Sequence, residues 1–348
     1  MISLRQLRSI GGRMHTFSFF RYTASIWAAV VGILLSSGGV LPSQSLAQEY
    51  PLRPVRFVVP FPPSGSTDIY ARLLGNGLQQ GWKRNVVIDN RPGATGIIGT
   101  QTVRSAAPDG YTLLFTSNTG HVLGPLLHDP KPFEPVTDFS PLSMVLRFPL
   151  YLIVSPSVPG KTVAEFITAA KAKPRAFNYA SSGQGGVSHI AAELFNGAVG
   201  IEAVHLPYKG ASPAQQAVIA GEAQYRFDNI GVSQPLVAAG RLRGLAITGV
   251  NRAAVLPEVP TLAELGIKGL ESAYTWLGLL GPAKLPAALV SKISNDTINV
   301  MRQPEMAKRL ASDGYELVAS SPEQFVRDMK AEITVSAEII RRRGIKLQ

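Results

Sequence analysis

The chain has 348 residues, of which 45% are hydrophobic, with a mean hydropathy of +0.13 and a formal charge of +11. That length and apolar content suit about two domains with substantial cores. Cysteine is absent, which excludes disulfides and thiol catalysis and suits an oxidising compartment, where stray thiols are a liability. The basic residues are scattered and not interleaved with aromatics, so the charge points to an anionic ligand rather than to nucleic acid.

Residues 1–47 read as a secretory signal. Arg5, Arg8, Arg13 and Arg21 form a positive segment free of acidic residues, and Thr23–Leu35 is an apolar run too short for a comfortable membrane span. Ser45 and Ala47 place small residues before a cut at Gln48. Losing this segment removes four positive charges and lowers the net charge from +11 to +7. Met14 offers a second start, and an uncleaved anchor is the competing reading. The segment has neither a twin-arginine pair nor a lipobox cysteine, so the expected product is a soluble protein of a bacterial periplasm.

The rest of the chain alternates strands and helices. Val55–Pro60 is a continuous apolar run of the kind buried on both faces of a parallel sheet. The small-residue loop Phe61–Asp68 leads from it into a helix with Ile69, Leu73, Leu74 and Leu78 at helical spacing. Such a loop aims backbone N–H groups and small hydroxyls at one point beside the positive end of a helix dipole, which is an anion-binding geometry. Short strands are expected at 85–88, 111–115, 150–154, 178–180, 203–206, 224–227 and 245–248. Thr162-Val-Ala-Glu165 is a capping box opening a helix. Further helices start at Ser188, at Ser212-Pro213 and near Ser233, with Gly221 and Gly240 as C-terminal caps. Pro286–Met301 and Ser321–Arg342 read as longer helices, the second capped by Ser321.

This pattern is α/β, with mostly parallel sheets and flanking helices. Two apolar extended runs bordered by Pro or Gly, Phe148–Val154 and Ala273–Leu280, read as crossings between domains. The expected division is 48–152 with 276–348 for one lobe and an inserted second lobe of 153–275. A ligand would bind in the cleft between them, at the carboxyl ends of strands.

Nine fragments in order carry a resemblance along nearly all of the chain beyond residue 48. They are Tyr50-Pro-Leu-Arg-Pro54, Val58-Val-Pro-Phe-Pro-Pro63 with Thr67-Asp68, Asn90-Arg-Pro-Gly93, Pro108-Asp-Gly-Tyr-Thr-Leu113, Tyr179-Ala-Ser-Ser-Gly183, His205-Leu-Pro-Tyr-Lys-Gly210, Phe227-Asp-Asn229, Leu256-Pro-Glu-Val-Pro-Thr261 and the closing Gly344-Ile-Lys. With these the chain resembles the Bug receptors, the periplasmic substrate-binding proteins of tripartite tricarboxylate transporters. The resemblance implies a two-lobed periplasmic-binding-protein (Venus flytrap) fold. It also implies capture of a small carboxylate (a dicarboxylate, an acidic amino acid or an aromatic acid) by loops of both lobes. The receptor would be a monomer without cofactor or metal, serving membrane subunits of a transporter or a sensor.

Carried onto this sequence, the first binding loop is Phe61, Pro63, Ser64, Gly65, Ser66, Thr67 and Asp68, with Ser66 and Thr67 as donors and Asp68 steadying the loop. The second is Thr116, Ser117 and Asn118. The inserted lobe adds Ser181, Ser182, Gly183, Tyr208, Lys209 and Asp228. Two departures stand out. Ser64-Gly65-Ser66 replaces the family's usual run of glycines, which narrows the loop and adds hydroxyl donors. Arg226 stands where the family is usually apolar; strand alternation does not fix its side, and the outward orientation is preferred.

Each of these residues has a plainer reading. Ser64–Thr67 could simply cap a helix, and Thr116–Thr119 could be a polar turn. Ser181–Gly186, small residues before a helix, is a second nest for an anion or a plain loop. Lys209 could be solvated, Tyr208 and Trp276 could pack a hinge, and Asp228 could hold an amino group or water on the ligand or cap the next helix. Catalytic readings fare worse. Pro159-Gly-Lys-Thr162 looks like the end of a P-loop, but Ser155 replaces its first glycine and Pro156 and Pro159 spoil the cradle. There is no His-x-x-x-His pair, no Gly-x-Ser-x-Gly elbow and no metal-ligand cluster in the sequence. Ser188 and His189 are adjacent on a helix and so do not face each other. The alternative, an exported α/β hydrolase or lyase acting on a small carboxylate, lacks a convergent acid, base or nucleophile, and the chain is read as a binding protein rather than an enzyme.

Overall fold

The computed structural model describes residues 50–271 and 273–345; the export signal read in residues 1–47 lies outside the described residues. β1 (Val55–Val59) leads into α1 (Ser66–Trp82), β2 (Val86–Asn90), α2 (Ile97–Arg104) and β3 (Thr112–Ser117). β4 (Phe139–Val154) then carries the chain into α3 (Val163–Ala172), β5 (Phe177–Ser181), α4 (Val187–Val199), β6 (Ala203–Pro207), α5 (Ala211–Ala220), β7 (Tyr225–Asn229), α6 (Ile230–Ala238) and β8 (Arg243–Ile247). β9 (Tyr274–Pro282) is followed by α7 (Ala287–Met301), α8 (Pro304–Ser312), β10 (Glu316–Leu317) and α9 (Pro322–Arg343).

The strands form two lobes joined through β4. In the first the order is β2-β1-β3-β9-β4, with β10 also on β4; in the second it is β4-β7-β5-β6, with β8 also on β4. Phe139–Pro149 of β4 pair with β9, and Leu150–Val154 pair with β7 and β8. Parallel pairing holds for β1 with β2 and β3, and for β5 with β6 and β7. Every pairing of β4 and β9 is antiparallel, so the sheets are mixed rather than mostly parallel. The reason is geometric: a strand leaving a lobe and one returning to it run in opposite senses.

Each lobe has its own apolar core. Phe57, Leu74, Phe115 and Leu279 meet in the first, and Leu152, Phe166, Phe195 and Phe227 in the second. The expected capping box is formed: the Thr162 hydroxyl accepts from the Glu165 N–H at 3.2 Å, and the Glu165 carboxylate accepts from the Thr162 N–H at 3.2 Å. Ser321 caps α9 as read. Two elements differ from expectation. α6 starts at Ile230 rather than near Ser233, because Asn229 at the end of β7 caps it through Oδ1, 3.0 Å from the Gly231 N–H. β4 extends well before Leu150, where register shifts at Pro141/Ser143 and Met144/Leu146 break the alternation that would have marked a strand.

Candidate ligand-binding cleft

The loops that follow β1, β3, β5, β6 and β7 open on one cleft between the lobes, of about 840 Å³ with its open mouth. Three helices start at its wall. α1 begins from Gly65, α4 from Gly186 and α5 from Gly210, and none of the three carries a side-chain cap. At α1 and α5 no cap side chain takes the first N–H groups, whereas at α4 the Val187 N–H already donates to the Thr119 hydroxyl at 3.2 Å; each start carries the partial positive charge of a helix N-terminus. The plain-cap reading of Ser64–Thr67 does not hold: the cap position is Gly65, and Ser66 and Thr67 line the cleft from the first helical positions.

The first loop is braced from behind. Ser64 adopts φ of 70°, and its N–H donates to Asp68 Oδ2 at 3.0 Å. Asp68 also accepts from Arg72 Nη2 at 2.9 Å and Asn90 Nδ2 at 3.0 Å. Burial pushes the Asp68 carboxyl up, but the hydrogen bonds from Arg72, the Ser64 N–H and Asn90 outweigh it and hold the group below the ordinary carboxylate value. Asp68 thus fixes the loop as a carboxylate paired with Arg72, and it is not among the residues that line the cleft.

Of the expected residues, Phe61, Pro63, Gly65, Ser66, Thr67, Ser117, Ser182, Lys209 and Asp228 line the cleft. The others stand outside that lining. Ser64 and Asp68 form the brace just described, and Thr116 is fully buried at the end of β3. Asn118 turns away, its Nδ2 donating to the Tyr274 carbonyl and to Glu332 Oε1, each at 2.8 Å. The Ser181 hydroxyl bonds the Gly183 carbonyl at 3.0 Å and His205 Nε2 at 2.7 Å. The Tyr208 hydroxyl points to Glu222, 3.1 Å away.

Arg226 corrects the outward reading. Its side chain is 2% exposed, lines the cleft, and pairs with Asp228 at 2.9 Å. Alternation gave no warning because Arg226 and Asp228 share one face of β7, so the pair is buried together. Thr119, Ser188 and Ser212 also line the cleft. Ser188 and Ser212 carried a legible signal as helix starts, but not one that distinguishes a starting helix from a binding one.

Below the Ser181–Gly186 loop, His189 and His205 stack with ring centroids 3.8 Å apart. His189 Nδ1 accepts from the Gly185 N–H at 2.9 Å, and the Ser188 hydroxyl accepts from the Ser182 N–H at 3.1 Å. The two side chains thus turn to different partners, as adjacency on a helix requires. Burial pushes both histidines down to about 4, so they are neutral supports near neutral pH. Trp276 lies on β9, where its Nε1–H donates to Glu332 Oε2 at 2.5 Å.

With this geometry in view, the comparisons with known proteins are consistent. The family model described as the tripartite tricarboxylate transporter family receptor matches residues 70–345. Protein BugT of Bordetella pertussis is 32% identical over 321 residues, covering 92% of this chain and 98% of that protein. A solved structure of an R. palustris protein with adipate is 32% identical, covers 85% of this chain and 99% of its own, and superposes with a TM-score of 0.82. MatC of Rhodopseudomonas palustris, solved with bound malate, is 28% identical, covers 84% of this chain and all of its own (100%), and superposes with a TM-score of 0.78. A single continuous match over both lobes leaves one assignment: the chain belongs to the receptor family of the tripartite tricarboxylate transporters, the periplasmic solute-binding proteins that include the Bug receptors.

Proposed function

We propose that the protein is exported to the periplasm and there captures a small organic carboxylate for uptake or sensing, binding it without chemical conversion. The observation that carries this reading is the convergence of α1, α4 and α5, three uncapped helix starts, on one cleft. The hydroxyls of Ser66, Thr67, Ser117 and Ser182 stand beside them. A carboxylate placed there would gain charge-assisted hydrogen bonds worth roughly 1.5–3 kcal/mol each. The lining carries Lys209 and Arg226 against one acid, Asp228, a balance that favours an anion. Relatives solved with adipate and with malate support the same ligand class. In this reading the inserted lobe of residues 153–275 closes on the other about β4 and β9, and the closed form is recognised by membrane subunits or a sensor.

A thermal-shift screen tests it. The protein, unfolded and refolded to strip any carried ligand, is heated with mono-, di- and tricarboxylates, acidic amino acids and aromatic acids. Ligand at 100 times its Kd adds about 2.7 kcal/mol by mass action, so a rise of several degrees with one chemical group is expected. A flat response to the whole panel would contradict the reading.

A further inference from the structure

We propose that Arg226 sets the ligand specificity of the cleft: by occupying Asp228 it makes the β7 end accept the oxygen atoms of a carboxylate that bears no amino group, and refuse the α-ammonium of an amino acid. This rests on the carboxylate reading above and narrows it.

Asp228 is the one acidic side chain among the described cleft-lining residues, and hence the one place where a ligand ammonium could be neutralised. Three of its roughly four acceptor sites are already taken. Oδ1 takes Arg226 Nη2 at 2.9 Å and the Asn229 N–H at 2.9 Å, while Oδ2 takes Gln215 Nε2 at 3.0 Å. Both charged side chains are 2% exposed, so solvent screens the pair little, and an ammonium arriving at Asp228 would meet the guanidinium at the same place. Arg226 is held there by a second bond, from Nη1 to the Ala211 carbonyl at 2.7 Å.

The unmatched polar atoms at this end have one character. Arg226 Nε and Asn229 Nδ2 are buried side-chain atoms without a hydrogen-bond partner, and both are donors. Buried donors without a counterpart leave this end of the wall short of acceptors and electropositive, which suits the oxygens of a second carboxylate, a hydroxyl or a carbonyl better than a further donor such as an ammonium. Lys209 at the mouth adds to the same bias.

The test is calorimetric titration of the refolded protein with acids matched in carbon skeleton: succinate against aspartate, and glutarate against glutamate. The amine-free member of the better pair is expected to bind at least about tenfold tighter, and an amino acid binding as well or better overturns the inference while leaving the carboxylate reading intact. If no member of either pair and no acid of the wider panel binds, both fail together. Arg226→Met, which frees Asp228, is expected to shift the ratio toward the amino acid; a folded variant with an unchanged ratio overturns the inference. Because this variant leaves a buried lone carboxylate and can fail to fold, Asp228→Asn is measured as well. It keeps an oxygen for Arg226 and the Asn229 N–H and uncovers the guanidinium charge, so affinity for the amine-free acid is expected to rise severalfold. A fall in that affinity overturns the assignment.

Discussion

At the scale of single residues, the first loop does its work through absence as much as presence. Gly65 at the cap position supplies no side-chain oxygen, so nothing competes with a ligand for the N–H groups at the start of α1. The position is affordable because Asp68 holds the loop from behind through Ser64, Arg72 and Asn90. Ser66→Leu should therefore separate binding from folding. The hydroxyl donor is lost and a bulky chain enters the cleft, so carboxylate affinity should fall about 10- to 100-fold, the value of one charge-assisted bond. The melting temperature of the ligand-free protein should stay within about a degree of the parent, since Ser66 is only half-buried, opens on the cleft and makes no cap bond. Calorimetry and a melting curve check both halves, and an undiminished affinity would remove the loop from the site.

At the scale of elements, buried titratable groups link the lobes to the loops they carry. Glu332 on α9 accepts from Trp276 of β9 and from Asn118 after β3. Burial pushes its carboxyl up to about 7, against the lowering effect of those two bonds. A raised value means the folded chain holds a proton that the unfolded chain gives up above 4.5, so this stabilising contribution is present below 4.5 and is lost as pH rises through 7. The stacked histidines act in the opposite sense. Pushed down from 6.5 to about 4 by burial, they contribute stability that is present above 6.5 and lost as pH falls through 4. Glu332→Gln removes the first effect alone. Its unfolding free energy relative to the parent should improve from pH 5 to about pH 7 and then level off, by no more than about 3 kcal/mol in all; a pH-independent difference would refute the coupling.

The same scale explains what the sequence could disclose. Val55–Val59, the capping box at Thr162 and the Ser321 cap were legible because local chemistry alone determines them. α2 was not, since Ile97 and Val103 are its only large apolar side chains that face the core. The long reach of β4 was hidden by Pro141, Pro149 and two register shifts, features set by its partner strand rather than by its own residues. In the cleft, the loop after β1 announced itself by composition. The burial of Arg226 did not, because it depends on Asp228 and Ala211 meeting it in three dimensions.

For the whole molecule, β4 runs through the sheets of both lobes while β9 pairs only within the first, and polar contacts also join the lobes elsewhere. The Val187 N–H donates to the Thr119 hydroxyl at 3.2 Å, and the Tyr315 hydroxyl reaches Asn229. Gly185, at φ of +69°, packs so closely on Leu127 of the other lobe that a Cβ there would lie 1.6 Å from its Cδ1. Ile190 of α4 also packs in one apolar cluster with Leu123 and Trp276 of the other lobe, and a bound acid would add further bonds that hold the lobes shut. The measurement that bears most directly on this account is a crystal structure of the refolded protein with the acid giving the largest thermal shift. A carboxylate of that acid should lie about 2.7–3.1 Å from N–H or hydroxyl donors of Ser66 and Thr67 and from donors of the inserted lobe. A second cavity lies beside Trp276, Glu332 and Ile190; an acid found there, with the cleft between the helix starts empty, would contradict it.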